Sequence, residues 1–231
     1  MSPPKVPDCA PCRPAPESIR AATARLTDSD ILGLVTYLFL SSLDMKRDQP
    51  FELTMAVSPA DHAMGPPHAP VTIVEYGDFE CPNCKQAAPV VKLLLNRFRE
   101  RMRFVYRHFP LEEVHPHALY AAEASECAAA QGKFWPMHDL LFNNQPHLKL
   151  NQLSSYAERL QLDMAHYTAD MKDHTFLQRI REHEQSGRES GVRSTPTFFV
   201  NRRIHDVSFG PQRLFEAVEA VLRFPPRTRR N

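Results

Sequence analysis

The sequence carries almost no net charge: 28 basic side chains stand against 27 acidic ones, a formal +1. That balance supplies no field for recruiting nucleic acid or an anionic membrane surface. A membrane span is missing too. The apolar run "ILGLVTYLFLSSL", residues 31–43, is 13 residues long and follows Asp28 and Asp30, so it is too short to cross a bilayer. The opening "MSPPKVPDCAPCRPAPE" has no basic stretch leading into an apolar one, hence no secretory signal. Cytoplasmic localisation is the expectation, with a periplasmic or exported site as the alternative if the true start lies elsewhere. Glycine is scarce, 7 residues against 21 prolines. Many of the prolines fall in the first seventy residues, which implies extended, weakly folded stretches there. The 5 cysteines are not dispersed as in a structural disulfide framework. Four form two C-x-x-C pairs, a spacing suited to redox or metal chemistry.

With 42% hydrophobic and 24% charged residues, the chain can bury a real core. Thr27 and Asp30 form a plausible capping box before Ile31, Leu34, Val35 and Leu38, which recur at helical spacing. Residues 44–69 turn polar and Pro-rich again, as a linker or a strand arm plus linker. "VTIVEY" then reads as a buried strand ended by Gly77 and Asp78. "CPNCKQAAPVVKLLLNRF" reads as a helix, with Pro82 in its first turn and Pro89 set to kink it. "MRFVYRHF" is a second strand, giving a parallel βαβ unit. Residues 115–188 look helical almost throughout, with residues 164–190 as one continuous stretch. "TPTFFVNRRIHDVSF" suggests a hairpin turning at Asn201 and Arg202, and "PQRLFEAVEAVLRF" a last helix.

The order β-α-β, helical insertion, β-β-α is that of an α/β thioredoxin fold with an all-helical subdomain inserted in its middle. The expected parts are an N-terminal helical appendage and linker over 1–60, the thioredoxin-fold domain over 61–110 and 189–224, the inserted helical domain over 111–188, and a tail over 225–231. "VEYGDFECPNC", "RHFPL", "AAEASECAAAQGKFWPMHDLLF", "GVRSTPTFFVN" and the final helix together resemble the DsbA-like family of thiol–disulfide oxidoreductases. The resemblance runs from about His68 to Phe224. A C-x-x-C at a strand-to-helix junction, followed about 110 residues later by Thr-Pro opening a strand, carries most of it.

Physical chemistry points the same way. A cysteine at a helix N-terminus faces unpaired backbone N–H groups and the positive end of the helix dipole, which favour thiolate over thiol. Cys81, first in the pair, is the candidate nucleophile, and Cys84, one turn inward, the candidate resolving thiol of a Cys81–Cys84 redox disulfide. The resemblance implies three further roles. Glu75, a carboxylate in an apolar strand, would be the proton acceptor for Cys84, with burial raising its pKa. Thr195 and Pro196 would form the cis-proline loop that binds the substrate main chain as an added strand. Protein thiols and disulfides would be the substrates, served by a redox partner that the sequence does not name, with no cofactor and no metal. The dipeptide Pro82-Asn83 has no histidine beside the thiolate, and Asp78 and Glu80 should oppose ionisation of Cys81. A couple less oxidising than the family's strongest member is therefore expected. The alternative is a non-catalytic thioredoxin-fold module for binding, chaperoning or metal delivery. Since relatives are fused to membrane transporters, a detached fusion domain is a further reading.

Other signals carry less. "DCAPCR" with the helix after it resembles a fragment of a c-type cytochrome, but Arg13 stands where haem attachment needs histidine. Cys9 and Cys12 could form a second redox couple, though a dithiol without fixed role is the simpler reading. Zinc shared by all four paired cysteines lacks an element to bring them together. Cys127, among alanines, reads as core packing. The 11 histidines show no H-x-x-x-H pair and default to solvated or capping positions. "FWPMHDLLF" reads as core of the helical domain.

Overall fold

The computed structural model describes residues 52–205 and 212–223. Cys9, Cys12, the helix expected over 27–43 and the tail 225–231 lie outside them. Among the described residues the chain forms β1 (His62–Met64), β2 (Val71–Gly77), α1 (Pro82–Phe98), a 3-10 turn (Arg99–Arg101) and β3 (Met102–His108). The helices α2 (Ala118–Ala130), α3 (Phe134–Asn143), α4 (Leu150–Arg159), α5 (Met164–Asp173) and α6 (Leu177–Glu189) follow. The hairpin β4 (Thr197–Val200) and β5 (Arg203–His205) and the helix α7 (Gln212–Arg223) complete the order. This is a thioredoxin fold with a helical insertion. No described helix is long and apolar enough to cross a membrane.

The sheet order is β1-β3-β2-β4-β5. β2 and β3 are parallel and every other pairing is antiparallel. The two central strands are buried along nearly their whole length, which explains their apolar, β-branched composition. The βαβ crossover positions α1, whose buried residues Cys84, Ala87, Val91 and Leu94 recur at helical spacing against the sheet. Pro89 lies on the exposed side of α1, and the helix runs through it. Asn201 and Arg202 both adopt positive φ, 46° and 74°, as a two-residue hairpin turn requires.

Alternate residues of β2 and β3 face two cores. Val71, Ile73, Met102, Phe104 and Tyr106 join α1 and the inserted helices in the larger one. Val74, Tyr76, Val105 and Phe199 join Leu53, Phe109 and Val192 in the smaller. Gly77 ends β2 against the Tyr106 side chain. A Cβ there would come within 2.6 Å of the Tyr106 ring and 2.8 Å of its hydroxyl oxygen.

Two expectations need correction. The stretch 164–190 is not one helix. His174 turns left-handed at φ 52° and closes α5, so that α6 starts afresh at Leu177 and packs on β3 as well as α2. Nor do residues 52–60 belong to an appendage. Leu53 is buried in the smaller core, and the buried Arg107 guanidinium binds the segment from beneath. Its Nε and one Nη donate to the two Asp61 carboxylate oxygens at 2.8 and 3.1 Å. Its remaining N–H groups reach the carbonyls of Met55 and Ala56 and the Tyr76 hydroxyl. All five donors are used, the condition under which a buried arginine is tolerated. Composition alone marked this segment as linker, because its anchor lies in β3.

Candidate functional site

Cys81 is the N-cap of α1, in extended conformation at φ −72° and ψ 122°, with Pro82 starting the helix behind it. Its own N–H is held by the Asp78 carbonyl at 3.2 Å, and its carbonyl accepts from Lys85 N–H. The Cys81 sulfur therefore faces the free N–H groups of the first turn. Cys84 follows one turn later with no exposed surface, while Cys81 keeps a small accessible edge of 5%. Both are free thiols.

Thr195 lies across from this helix start. Its carbonyl oxygen is 3.2 Å from Cys81 Sγ, a contact that suits the thiol form, and its hydroxyl is buried without a partner. The Thr195–Pro196 peptide bond is cis. The thiolate of Cys81 is favoured chiefly by the Cys84 thiol and next by the Thr195 side chain, with the backbone N–H groups of Cys84 and Asn83 assisting, and these outweigh burial to lower its pKa to about 5. Cys84 goes the opposite way: burial, the pairing with Cys81 and the charge of Glu75 all push its thiol up. Unequal acidities within the pair mean that the outer sulfur is ionised near neutrality while the inner one keeps its proton. Alkylation of the reduced protein by iodoacetamide should accordingly follow a single midpoint near pH 5 at Cys81. A midpoint in the ordinary thiol range, near 8.5, would contradict this.

Glu75 sits in the middle of β2, opposite Tyr106 on one side and Phe198 on the other. It is 2% exposed, and its Oε1 has no hydrogen-bond partner. Burial first, and then the charge on Cys81, raise its pKa to about 8. The Tyr106 hydroxyl is likewise buried without a partner and is coupled to Cys84 and Glu75 through their charges. The structure thus brings together Cys81, Cys84, Glu75, Thr195 and Pro196 from three separate stretches of chain.

Other residues of the site gave no signal at sequence level. Gln145, in the loop after α3, donates to the carbonyls of Phe79 and Cys81, both at 2.8 Å, and so fixes the entry to α1 from the helical insertion. Asp78 is buried and fully engaged. Its carboxylate accepts from the N–H groups of Glu80 and Leu111 and from His115 Nδ1, at 2.7 to 2.9 Å. Glu80 accepts from the backbone and Nδ1 of His117 at 2.7 and 2.9 Å. Each of these two acids, expected to oppose ionisation of Cys81, thus has a histidine partner in the structure.

The histidines as a group are also less solvated than expected: His108, His138 and His183 are all buried. One cluster brings three metal-type donors together. His62 Nε2 and His108 Nε2 lie 2.9 and 2.8 Å from the same Glu126 oxygen. Arg179 Nε donates to that oxygen as well, at 2.9 Å. A guanidinium therefore already occupies the place of a cation, and hydrogen bonds from both histidines hold Glu126 well below the ordinary carboxylate range despite its burial.

Comparisons with known proteins agree with this geometry. The family model described as Thioredoxin matches residues 57–220. The chain is 48% identical over 171 residues to a protein named Na(+)/H(+) antiporter NhaA 1 from Salinispora arenicola. That match takes in 74% of this chain but 26% of the antiporter, so the chain spans about a quarter of the length of the curated relatives it matches. Among solved structures, oxidised BdbD from Bacillus subtilis superposes with a TM-score of 0.68 at 21% identity, covering 76% of this chain and 100% of that one. A thioredoxin-like oxidoreductase from Silicibacter pomeroyi superposes at 0.64 with 25% identity, covering 72% and 94%. By the family model that matches most of its length, the chain belongs to the thioredoxin family.

Proposed function

We propose that the protein is a thiol–disulfide oxidoreductase that exchanges disulfides with protein substrates through Cys81-Pro82-Asn83-Cys84. The observation that carries this reading is the pairing of an acidic outer thiol with a buried inner one, directly beneath the Thr195 carbonyl. In the reductive direction the Cys81 thiolate attacks one sulfur of a substrate disulfide. The Cys81–substrate S–S bond forms, the substrate S–S bond breaks, and the departing sulfur leaves as a thiolate that takes a proton from water. Cys84 then passes its proton toward Glu75 and attacks Cys81 Sγ. The Cys81–Cys84 bond forms and the second substrate sulfur leaves as a thiolate. Two electrons have moved from the enzyme dithiol to the substrate, and the reverse sequence oxidises a substrate dithiol.

Glu75 suits its part because the Cys81 charge that helps raise its pKa to about 8 disappears when Cys81 enters the mixed disulfide, which frees the buried carboxylate to take the Cys84 proton at that step. Thr195 and Pro196 hold an extended substrate by its main chain, which accommodates many sequences.

The reduction potential tests the assignment. A thiolate of pKa about 5 falls between those of thioredoxin, about 7, and DsbA, about 3.5. Equilibration with glutathione should thus place the couple between roughly −270 and −120 mV. A couple in the upper part of that interval would be held as a dithiol by the cytosolic glutathione poise and could oxidise substrates only outside it, so we assign its site of action to an exported or periplasmic setting. A potential below that of thioredoxin, or a pair that forms no disulfide in glutathione buffers, would overturn the reading.

A further inference from the structure

Asp78 and Glu80 stand three residues and one residue before Cys81, and the Asp78 carbonyl accepts from the Cys81 N–H at 3.2 Å; a carboxylate near a thiol favours its neutral form. Asp78 is also tied to the pair directly, with its N–H 3.5 Å from Cys84 Sγ. Both carboxylates are met by one short segment, His115-Pro116-His117, which leads into α2. His115 Nδ1 lies 2.7 Å from Asp78 Oδ2, and the two side chains are 18% and 0% exposed. His117 gives both its N–H and its ring nitrogen to Glu80. It is also the N-cap of α2, so Glu80 sits at the amino end of that helix, where N–H groups favour an anion. Pro116 restricts the backbone of His115 to extended conformations. The preceding turn is closed by His115 N–H on the Leu111 carbonyl at 2.8 Å, and the Leu111 N–H itself binds Asp78.

We propose that His115 and His117 are positioning residues of the redox site: they pair the two carboxylates ahead of Cys81 and supply, from the loop before α2, the imidazole compensation that Pro82-Asn83 lacks. The proposal rests on the redox reading of Cys81 and Cys84. It differs from a purely structural role in one respect, because the effect of each histidine on Cys81 must pass through its carboxylate.

The test is a double-mutant cycle on the reduced full chain, read as iodoacetamide reactivity of Cys81 against pH. His115→Gln is expected to raise the Cys81 midpoint by roughly half a unit to one unit, slowing alkylation at pH 5 about two- to fivefold. In an Asp78→Asn background the same substitution leaves the midpoint where the background puts it. His117→Gln, at the more exposed pair, shifts the midpoint in the same direction and provides the readout if His115→Gln does not fold. An unmoved midpoint in whichever of these variants folds overturns the proposal. So does a His115→Gln shift of equal size with and without Asp78. A wild-type protein that exchanges no disulfides would instead remove the redox reading beneath it, an outcome told apart by assaying the unmodified chain first.

Discussion

Replacing Cys81 with serine lowers disulfide exchange by roughly three orders of magnitude or more, because a serine hydroxyl is neither ionised nor nucleophilic toward sulfur near neutrality. Turbidity from dithiothreitol-driven reduction of insulin gives the rate. Cys84→Ser fails differently. The outer thiolate still attacks, but nothing closes the second bond, so substrate stays joined to Cys81 as a mixed disulfide. Non-reducing electrophoresis should show that adduct, and a reductant should release it. Cys127 cannot stand in for either: it is 1% exposed, and burial pushes its thiol up to about 12. Turnover that survives Cys81→Ser, or binding without adducts in Cys84→Ser, would point to a binding or metal-delivery module instead.

The second large effect concerns stability. Burial and the Cys81 charge push Glu75 up to about 8 in the folded protein, from an ordinary value of 4.5. Between those values the native state holds a proton that the unfolded chain has lost, so stability falls as pH rises across that window. The contribution of this one proton is undiminished below about 4.5 and lost above about 8. Glu75→Gln keeps the shape and cannot ionise. The variant should match the parent near pH 4 and exceed it by about 3 kcal/mol at pH 7, using 1.36 kcal/mol per unit. Urea unfolding of the reduced proteins at pH 4, 6 and 8 measures the gap. A gap that stays constant across this range would mean that the carboxyl is not the cause. The same variant should slow the release of mixed disulfides, since Cys84 loses its proton acceptor. A catalytic carboxylate kept at the expense of stability is a familiar compromise at active sites.

Much of this site was legible because its chemistry is local in sequence. Cys81 and Cys84 fall where a strand ends and a helix begins, and Glu75 interrupts an apolar run that had no other use for a charge. The Asn201-Arg202 turn and the spacing of Cys84, Ala87, Val91 and Leu94 needed only short-range rules. What could not be read depends on contacts between distant segments. Gln145, His115 and His117 lie 30 residues or more beyond Cys81 along the chain and have no periodic pattern to mark them. The partners of Asp78 and Glu80 arrive from the loop before α2, which no local rule could pair with them. Residues 52–60 read as linker because the arginine that holds them sits in β3, and the break at His174 is a backbone conformation that composition does not announce.

Gly77 has a consequence for how this protein can drift over generations. The ring of Tyr106 occupies the space where a methyl group at position 77 would have to lie. An alanine fixed at 77 in some lineage demands a slimmer neighbour at 106, and a tyrosine regained at 106 demands that the methyl be given up. The two positions are bound to change as partners, although 29 residues of chain separate them.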